Sequence, residues 1–386
     1  MRLVSIAATT ALIFMATGCG DEQIRIRKTH CAFGPEHQLS TIEGLLIHDL
    51  ALRRTASRIW ALWSDRSGLY ASELDSEGAA INHPMRVSRA CEGGLAVAAH
   101  EDVLWVACGR RGDAARVDTG GVQLLSIRGG GVRAEGAFGA LGASGEGVAL
   151  AVSPHGTIAI GWQEDHTSIS HSWIQALTPG ALPERLSDSR FFGSRPSLEW
   201  QGERLASTWS ETWFDARGRS EGRIMLRIGE RASRAAETNI ENSLPTLRSG
   251  MANELLLTFR DRLQTRTRPR VRIGRVEGDG TLARLEDGSS ANAAGESIAI
   301  GCGRDVFVIA PRSRSRAERL VGVRRYFPDL EPHGPELQLY EHGVAYEHAD
   351  AQCIDDHLVI LYGSRPTHIL PTGNMRAVSL TCDSSE

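Results

Sequence analysis

Ile59-Trp60-Ala61-Leu62-Trp63 is a short apolar run that ends on an aromatic residue and passes at once into a polar stretch, Ser64-Asp65-Arg66-Ser67-Gly68. Runs of the same kind, ending in an aromatic or a small residue, return six times: Leu104-Trp105-Val106-Ala107-Cys108, Ile158-Ala159-Ile160-Gly161-Trp162, Leu205-Ala206-Ser207-Thr208-Trp209, Leu255-Leu256-Leu257-Thr258-Phe259, Val306-Phe307-Val308-Ile309-Ala310 and Leu358-Val359-Ile360-Leu361-Tyr362. The last residue of each run serves as an anchor, and successive anchors are separated by 45, 54, 47, 50, 51 and 52 positions. A period of this size marks a repeated supersecondary unit that cannot bury its own apolar faces and must stack on its neighbours.

Each anchor run has strand-like company. About ten residues upstream lies a second apolar segment, such as Leu95-Ala96-Val97-Ala98-Ala99 or Val148-Ala149-Leu150-Ala151-Val152. Downstream come runs such as Leu69 to Leu74, Ile224 to Ile228 and Val271 to Val276. Then follow a glycine turn (Ser76-Glu77-Gly78, Thr178-Pro179-Gly180, Gly278-Asp279-Gly280) and a fourth segment such as Arg185-Leu186-Ser187 or Ala283-Arg284-Leu285. Short apolar runs punctuated by Gly, Pro, Asp and Ser are strand and turn signals, and no long stretch of helical period follows the amino terminus. Four strands per unit and seven units predict an all-β fold, a β-propeller of seven four-stranded blades. Six or eight blades stay open, because the second unit, Leu95 to Ile127, is short. Trp63, Trp162, Trp209, Phe259 and Tyr362 are expected to pack between blades.

The amino terminus has a different character. Met1-Arg2 precedes an apolar run from Leu3 to Met15 and the small residues Ala16-Thr17-Gly18 before Cys19. This is the order of a secretory signal peptide, and the run is shorter than the roughly 20 residues a membrane span needs. Ala16-Thr17-Gly18-Cys19 resembles the lipobox of bacterial lipoproteins, with Ala16 where that family usually has Leu. The resemblance implies a signal peptide over 1–18, lipidation at Cys19, a tether over 19–30 and a propeller domain over 31–386. It also implies a lipid-anchored protein of the bacterial cell envelope, on the outer membrane or the periplasmic face. An ordinary cleavable signal with an incidental Cys19 is the alternative.

The phrase Arg195-Pro196-Ser197-Leu198-Glu199-Trp200, followed by Arg204-Leu205-Ala206-Ser207-Thr208-Trp209-Ser210, is similar to the repeats of large secreted propeller lipoproteins of bacteria. That likeness covers most of the mature chain as a fold pattern, and propellers serve as enzymes, lectins, scaffolds and assembly factors alike. Ser64-Asp65-Arg66-Ser67-Gly68 has the wrong spacing for the Asp-box of sialidases, and recurring Trp-Asp dipeptides, His-Glu-x-x-His, Walker loops and Gly-x-Ser-x-Gly are absent. No cofactor or metal is implied.

Removing Cys19 from the seven cysteines leaves the even set Cys31, Cys91, Cys108, Cys302, Cys353 and Cys382, which in an exported protein indicates disulfides; buried free thiols are the alternative. A hairpin turning near Glu101-Asp102 brings Cys108 within a few residues of Cys91. Cys302 and Cys353 stand eight and nine residues before their anchors, so they hold similar places in neighbouring blades. Cys31 and Cys382 lie near the two mature ends, which ring closure brings together.

Basic and acidic residues nearly balance, 43 against 47, and loss of the signal with its Arg2 takes the formal charge from −4 to −5. Such a chain has no global attraction for nucleic acid. Lys28 is the only lysine. Two arginine-rich stretches follow the fifth and sixth anchors, and Arg266, Arg268, Arg314 and Arg316 are the candidates for binding an anion, since guanidinium groups take carboxylate, sulfate or phosphate in bidentate fashion. A solvated hairpin is the plainer account of both. Glu164-Asp165-His166 with His171, and Glu347-His348-Ala349-Asp350 with Asp355-Asp356-His357, are the densest clusters of His and carboxylate, and polar turns explain them as well. No catalytic pair stands out. The expectation is a non-catalytic binding or scaffold protein of the envelope, recognising a protein or glycan; the alternative is a glycan-cleaving hydrolase or lyase. Two or three carboxylates converging on the central funnel would favour the enzyme, and a shallow uncharged face would favour binding.

Overall fold

The computed structural model describes residues 31–382 apart from 44–46, 111–120, 140–146, 167–168, 239–242, 252–253, 263–267, 289–292, 314–318, 342–343 and 367–371. Among these residues there is no α-helix, and the strands form seven antiparallel sheets in a ring. Blade one shows the plan: Asp49–Arg54 innermost, then Ile59–Asp65, Gly68–Leu74 and Met85–Ser88 in order outward. The innermost strands of the other blades are Cys91–His100, Val148–Val152, Ser197–Gln201, Thr246–Ser249, Ile298–Cys302 and Val344–Ile354. Each packs against the innermost strand of the next blade, and the seventh against the first. The second blade is complete, running from Cys91 to Phe138, so the count is seven.

All seven anchor runs occupy the second strand of their blade, where both faces of the sheet are covered. Ile59–Asp65 is buried along its whole length, whereas the outer strand Gly131–Phe138 is almost wholly exposed. Four of the five large anchors lie between blades as the repeat implies. Trp63 packs with Val359, Leu361 and Ala377 of blade seven, and Trp162 with Ala107, Val122 and Leu124 of blade two. Phe259 meets Ala206, Ile224 and Leu226 of blade four, and Tyr362 meets Ile309 and Val321 of blade six. Each of these four buried aromatics contributes about 3–5 kcal/mol against truncation to alanine.

Blade seven closes the ring with strands from both ends of the chain. Cys31–Glu43 is its outermost strand and pairs with Thr372–Cys382, so the first described residue faces the last. Cys31 bonds to Cys382, Cys91 to Cys108 and Cys302 to Cys353. In blade two the register places Cys91 opposite Arg110 and Leu95 opposite Cys108; an irregularity between them brings the two sulfurs together. Three disulfides belong to an oxidising, non-cytoplasmic compartment.

Candidate functional site in the central channel

In a blade whose inner strand runs inward from one face, the connection from the outermost strand of one blade to the next inner strand, and the connection between second and third strands, both open on that face. The inner strands therefore present their first residues at a common rim. Leu50, Leu95, Val148 and Ala349 stand opposite the anchors Trp63, Cys108, Trp162 and Tyr362. The preceding residue of each inner strand reaches the rim, and in blades one, four, six and seven it is Asp49, Arg195, Glu296 and His348. These residues line a channel cavity of about 310 Å³, at the small end of the range for ligand pockets.

Arg195 lies across the mouth of this channel. Its Nε donates to the Val148 carbonyl at 3.2 Å and its Nη2 to the Leu95 carbonyl at 3.3 Å. Its Nη1 reaches Glu296 at 3.0 Å and Asp49 at 3.4 Å. One side chain from blade four thus touches blades one, two, three and six. Burial works against the Arg195 charge, but Glu296, Asp49 and Asp350 outweigh it and raise its pKa further. Asp49 also accepts the N–H groups of Leu50 and Leu95, both at 2.9 Å, and Glu296 accepts the Thr246 hydroxyl at 3.1 Å. Glu296 is the more exposed of the two acids, at 34% of its side chain against 13% for Asp49.

Deeper in the channel Asp350 is clamped by four donors. Arg53 Nη1 at 2.8 Å and the Leu52 N–H at 2.9 Å reach one oxygen; Arg248 Nη2 at 3.0 Å and the Ala351 N–H at 2.9 Å reach the other. Burial pushes the Asp350 carboxyl up, and Arg53 and the backbone donors oppose it. All four donors bond the ionised form, so the geometry holds a carboxylate here. Glu199, on the inner strand of blade four, is pushed up by burial as well, against the pull of Arg53. It accepts the Trp200 N–H at 3.3 Å and has Ser249 as a further partner. Four carboxylates and, with Arg54, four guanidinium groups, from blades one, four, five, six and seven, therefore line one channel.

The candidates singled out in the sequence are placed differently. Cys19, the signal and the tether lie outside the described residues, as do Arg266, Arg314 and Arg316. Arg268 is exposed at the end of the connection between the second and third strands of blade five. Their described neighbours serve as ion pairs within the sheets: Arg270 with Asp287 at 2.7 Å, Arg325 with Asp305 at 2.5 Å, and Arg312 with Glu336. Glu164 stands opposite His171 across two strands and accepts the Trp162 indole N–H at 2.8 Å. Asp355 and Asp356 form the tight turn between strands Val344–Ile354 and His357–Pro366, both with positive φ. Asp350 leaves that local cluster for the channel. Among the described residues no three His, Cys, Asp or Glu side chains come together as a metal site needs.

No family model and no curated protein matches the chain. Solved structures do resemble it in fold. An ulvan lyase, described as a new polysaccharide lyase family and bound to -[GlcA(1-4)Rha3S]-, matches with a TM-score of 0.56 at 9% identity, over 88% of this chain and 94% of the lyase. The Trypanosoma rangeli sialidase gives 0.44 at 10% identity over 91% of this chain and 58% of its own. A Penicillium chrysogenum alpha-L-arabinanase gives 0.46 at 11% identity over 74% and 92%. At these identities the likeness is one of fold.

Proposed function

We propose that the protein is a propeller enzyme that cleaves an acidic extracellular glycan at the mouth of its central channel. The observation that carries this reading is the convergence of Asp49, Glu199, Glu296 and Asp350 on one channel, together with Arg195, Arg53 and Arg248. Glycan cleavage calls for a carboxylate to move a proton, and an acidic sugar calls for a cation to neutralise it. Arg195 is the cation at the mouth and Glu296 the accessible carboxylate beside it. The fold-level likeness to an ulvan lyase agrees with this reading without assigning the reaction. Arg266, Arg268, Arg314 and Arg316 are proposed to draw a polyanion toward the same face.

The test is an incubation of the mature domain with acidic polysaccharides, following new reducing ends and the ultraviolet absorbance of an unsaturated uronate. Both signals together identify a lyase, and reducing ends alone a hydrolase. Glu296→Gln is expected to lower turnover about a hundredfold or more, the usual worth of a proton-transferring group. Unchanged turnover in Glu296→Gln sinks the assignment.

A second reading is a non-catalytic binding propeller, and one observation favours it: Asp49 and Glu296 already hold Arg195, and Asp350 already holds Arg53 and Arg248. Glycan binding with no product from any substrate would establish it. We also propose that Cys19 carries lipid and tethers the domain to the envelope.

A further inference from the structure

Blade four carries its second and third strands well past its anchor. Arg204–Phe214 continues five residues beyond Trp209, while Ile59–Asp65 in blade one stops two beyond Trp63. At 3.3 Å per residue its end stands about 10 Å beyond that of blade one, and one residue beyond those of Ile158–His166 in blade three and His357–Pro366 in blade seven. It is met by Phe192–Gly193, which pairs with Thr212 and Glu211 just before the chain enters the channel at Arg195. Phe192 and Phe214 consequently meet edge to face, with ring centroids 6.1 Å apart and planes at 78°. They are 38% and 52% exposed. The other large apolar side chains exposed among the described residues, Ile81, Val132, Leu182 and Phe327, are scattered singly over blades one, two, three and six.

The pair rests on a rigid support. Phe191 packs against Trp213 at 5.2 Å, and the Arg223 guanidinium lies 4.8 Å over the Phe191 ring. Glu211 fixes Arg223 through Nε at 2.8 Å, and Asp188 fixes Arg190 through Nη2 at 2.7 Å. The rings are therefore held in place before any ligand arrives, which lowers the cost of binding.

We propose that Phe192 and Phe214 form a sugar-stacking subsite on the rim of blade four, holding one pyranose ring of a glycan whose next residues reach Arg195. The proposal rests on the funnel reading and names a place where the substrate chain lies. A Phe side chain presents about 150–250 Å², so the exposed parts of both rings make a patch of about 200 Å². That is far below the roughly 800 Å² per partner of a protein interface. It suits the C–H face of a single sugar ring, whose hydroxyls and acidic groups remain turned toward solvent and the guanidinium groups. Phe192 is three residues before Arg195, a span of at most about 10 Å in extended chain, so one glycan can touch both.

Affinity electrophoresis in gels containing ulvan, alginate, chondroitin sulfate or neutral arabinan tests the site, with wild type, Phe192→Ala/Phe214→Ala and Arg195→Ala compared at equal thermal stability. Retardation by at least one acidic glycan is expected, weakened about tenfold in the double variant, the equivalent of about 1.4 kcal/mol. Phe192→Trp should retain it. Retardation that the double variant leaves unchanged, while Arg195→Ala abolishes it, overturns the stacking site and leaves the funnel reading standing. A wild type that no glycan retards overturns both. A dimer present in wild type and lost in the double variant assigns the rings to a second copy and overturns the proposal.

Discussion

Cys31 and Cys382 stand opposite each other in the outer strand pair of blade seven, with Cα atoms 4.0 Å apart and a sequence separation of 351. The bond closes the ring across the whole propeller, so the unfolded chain loses more freedom to it than to either of the other two. Loop-closure entropy puts its contribution at about 6 kcal/mol. Replacing both cysteines with serine should lower the unfolding free energy in guanidinium by about that amount, and non-reducing peptide mapping should recover the two peptides joined. Recovery of Cys31 with another partner contradicts the pairing.

The Asp350 clamp makes a second prediction. Asp350→Asn keeps the shape but leaves the half-buried Arg53 and Arg248 without this counter-charge, at a position only 3% exposed. Removing one partner of such a network costs about 3–5 kcal/mol. The triple change of Arg53 and Arg248 to Met with Asp350→Leu should recover part of the loss, since it removes the guanidinium groups left without Asp350 but also takes the Arg53 attraction from Glu199. Urea denaturation of the three proteins checks this; an Asp350→Asn protein as stable as wild type rules it out.

The repeat of the anchors was legible because burial on both faces of the second strand forces apolar residues at a fixed period. The channel was not. Its charged groups are single residues at the starts of inner strands or within them, and their partners are set by the ring: Asp350 pairs with Arg53 and Arg248, at separations of 297 and 102 residues. In sequence it sits beside Glu347 and His348 and reads as part of a local acidic cluster. One signal was present. Counting fourteen residues back from Trp63, Trp209, Ala310 and Tyr362 lands on Asp49, Arg195, Glu296 and His348. The period that marks the core also indexes the rim, though nothing in the residue types at those positions draws attention to it. The three disulfide pairs were legible because strand register and ring closure demand proximity whatever the side chains between them.

Lipidation at Cys19 predicts a specific distribution. One acyl chain binds a membrane only marginally, while two or more hold it stably, at about 0.8 kcal/mol per buried methylene. Membrane fractions should contain the wild-type protein with an acylated amino-terminal cysteine by mass spectrometry, and Cys19→Ala should appear in the soluble fraction. Full membrane retention of the variant contradicts the proposal.

The last prediction concerns pH and Glu199. Burial outweighs the attraction of Arg53 and raises this carboxyl above its ordinary value of 4.5. A carboxyl with a higher pKa folded than unfolded binds its proton more tightly in the folded state. The stability this contributes is fully present below about 4.5 and is lost as pH rises through the raised folded value. Glu199→Gln stays neutral throughout and carries no such loss. Unfolding free energies of the two proteins, measured in urea at a series of pH values, should differ by a constant amount in acid. The difference should then move steadily in favour of Glu199→Gln as the pH climbs through the window, and level off above it. A difference that stays flat from acid to neutral pH would show that Glu199 titrates alike in both states, and that the channel does not hold its proton.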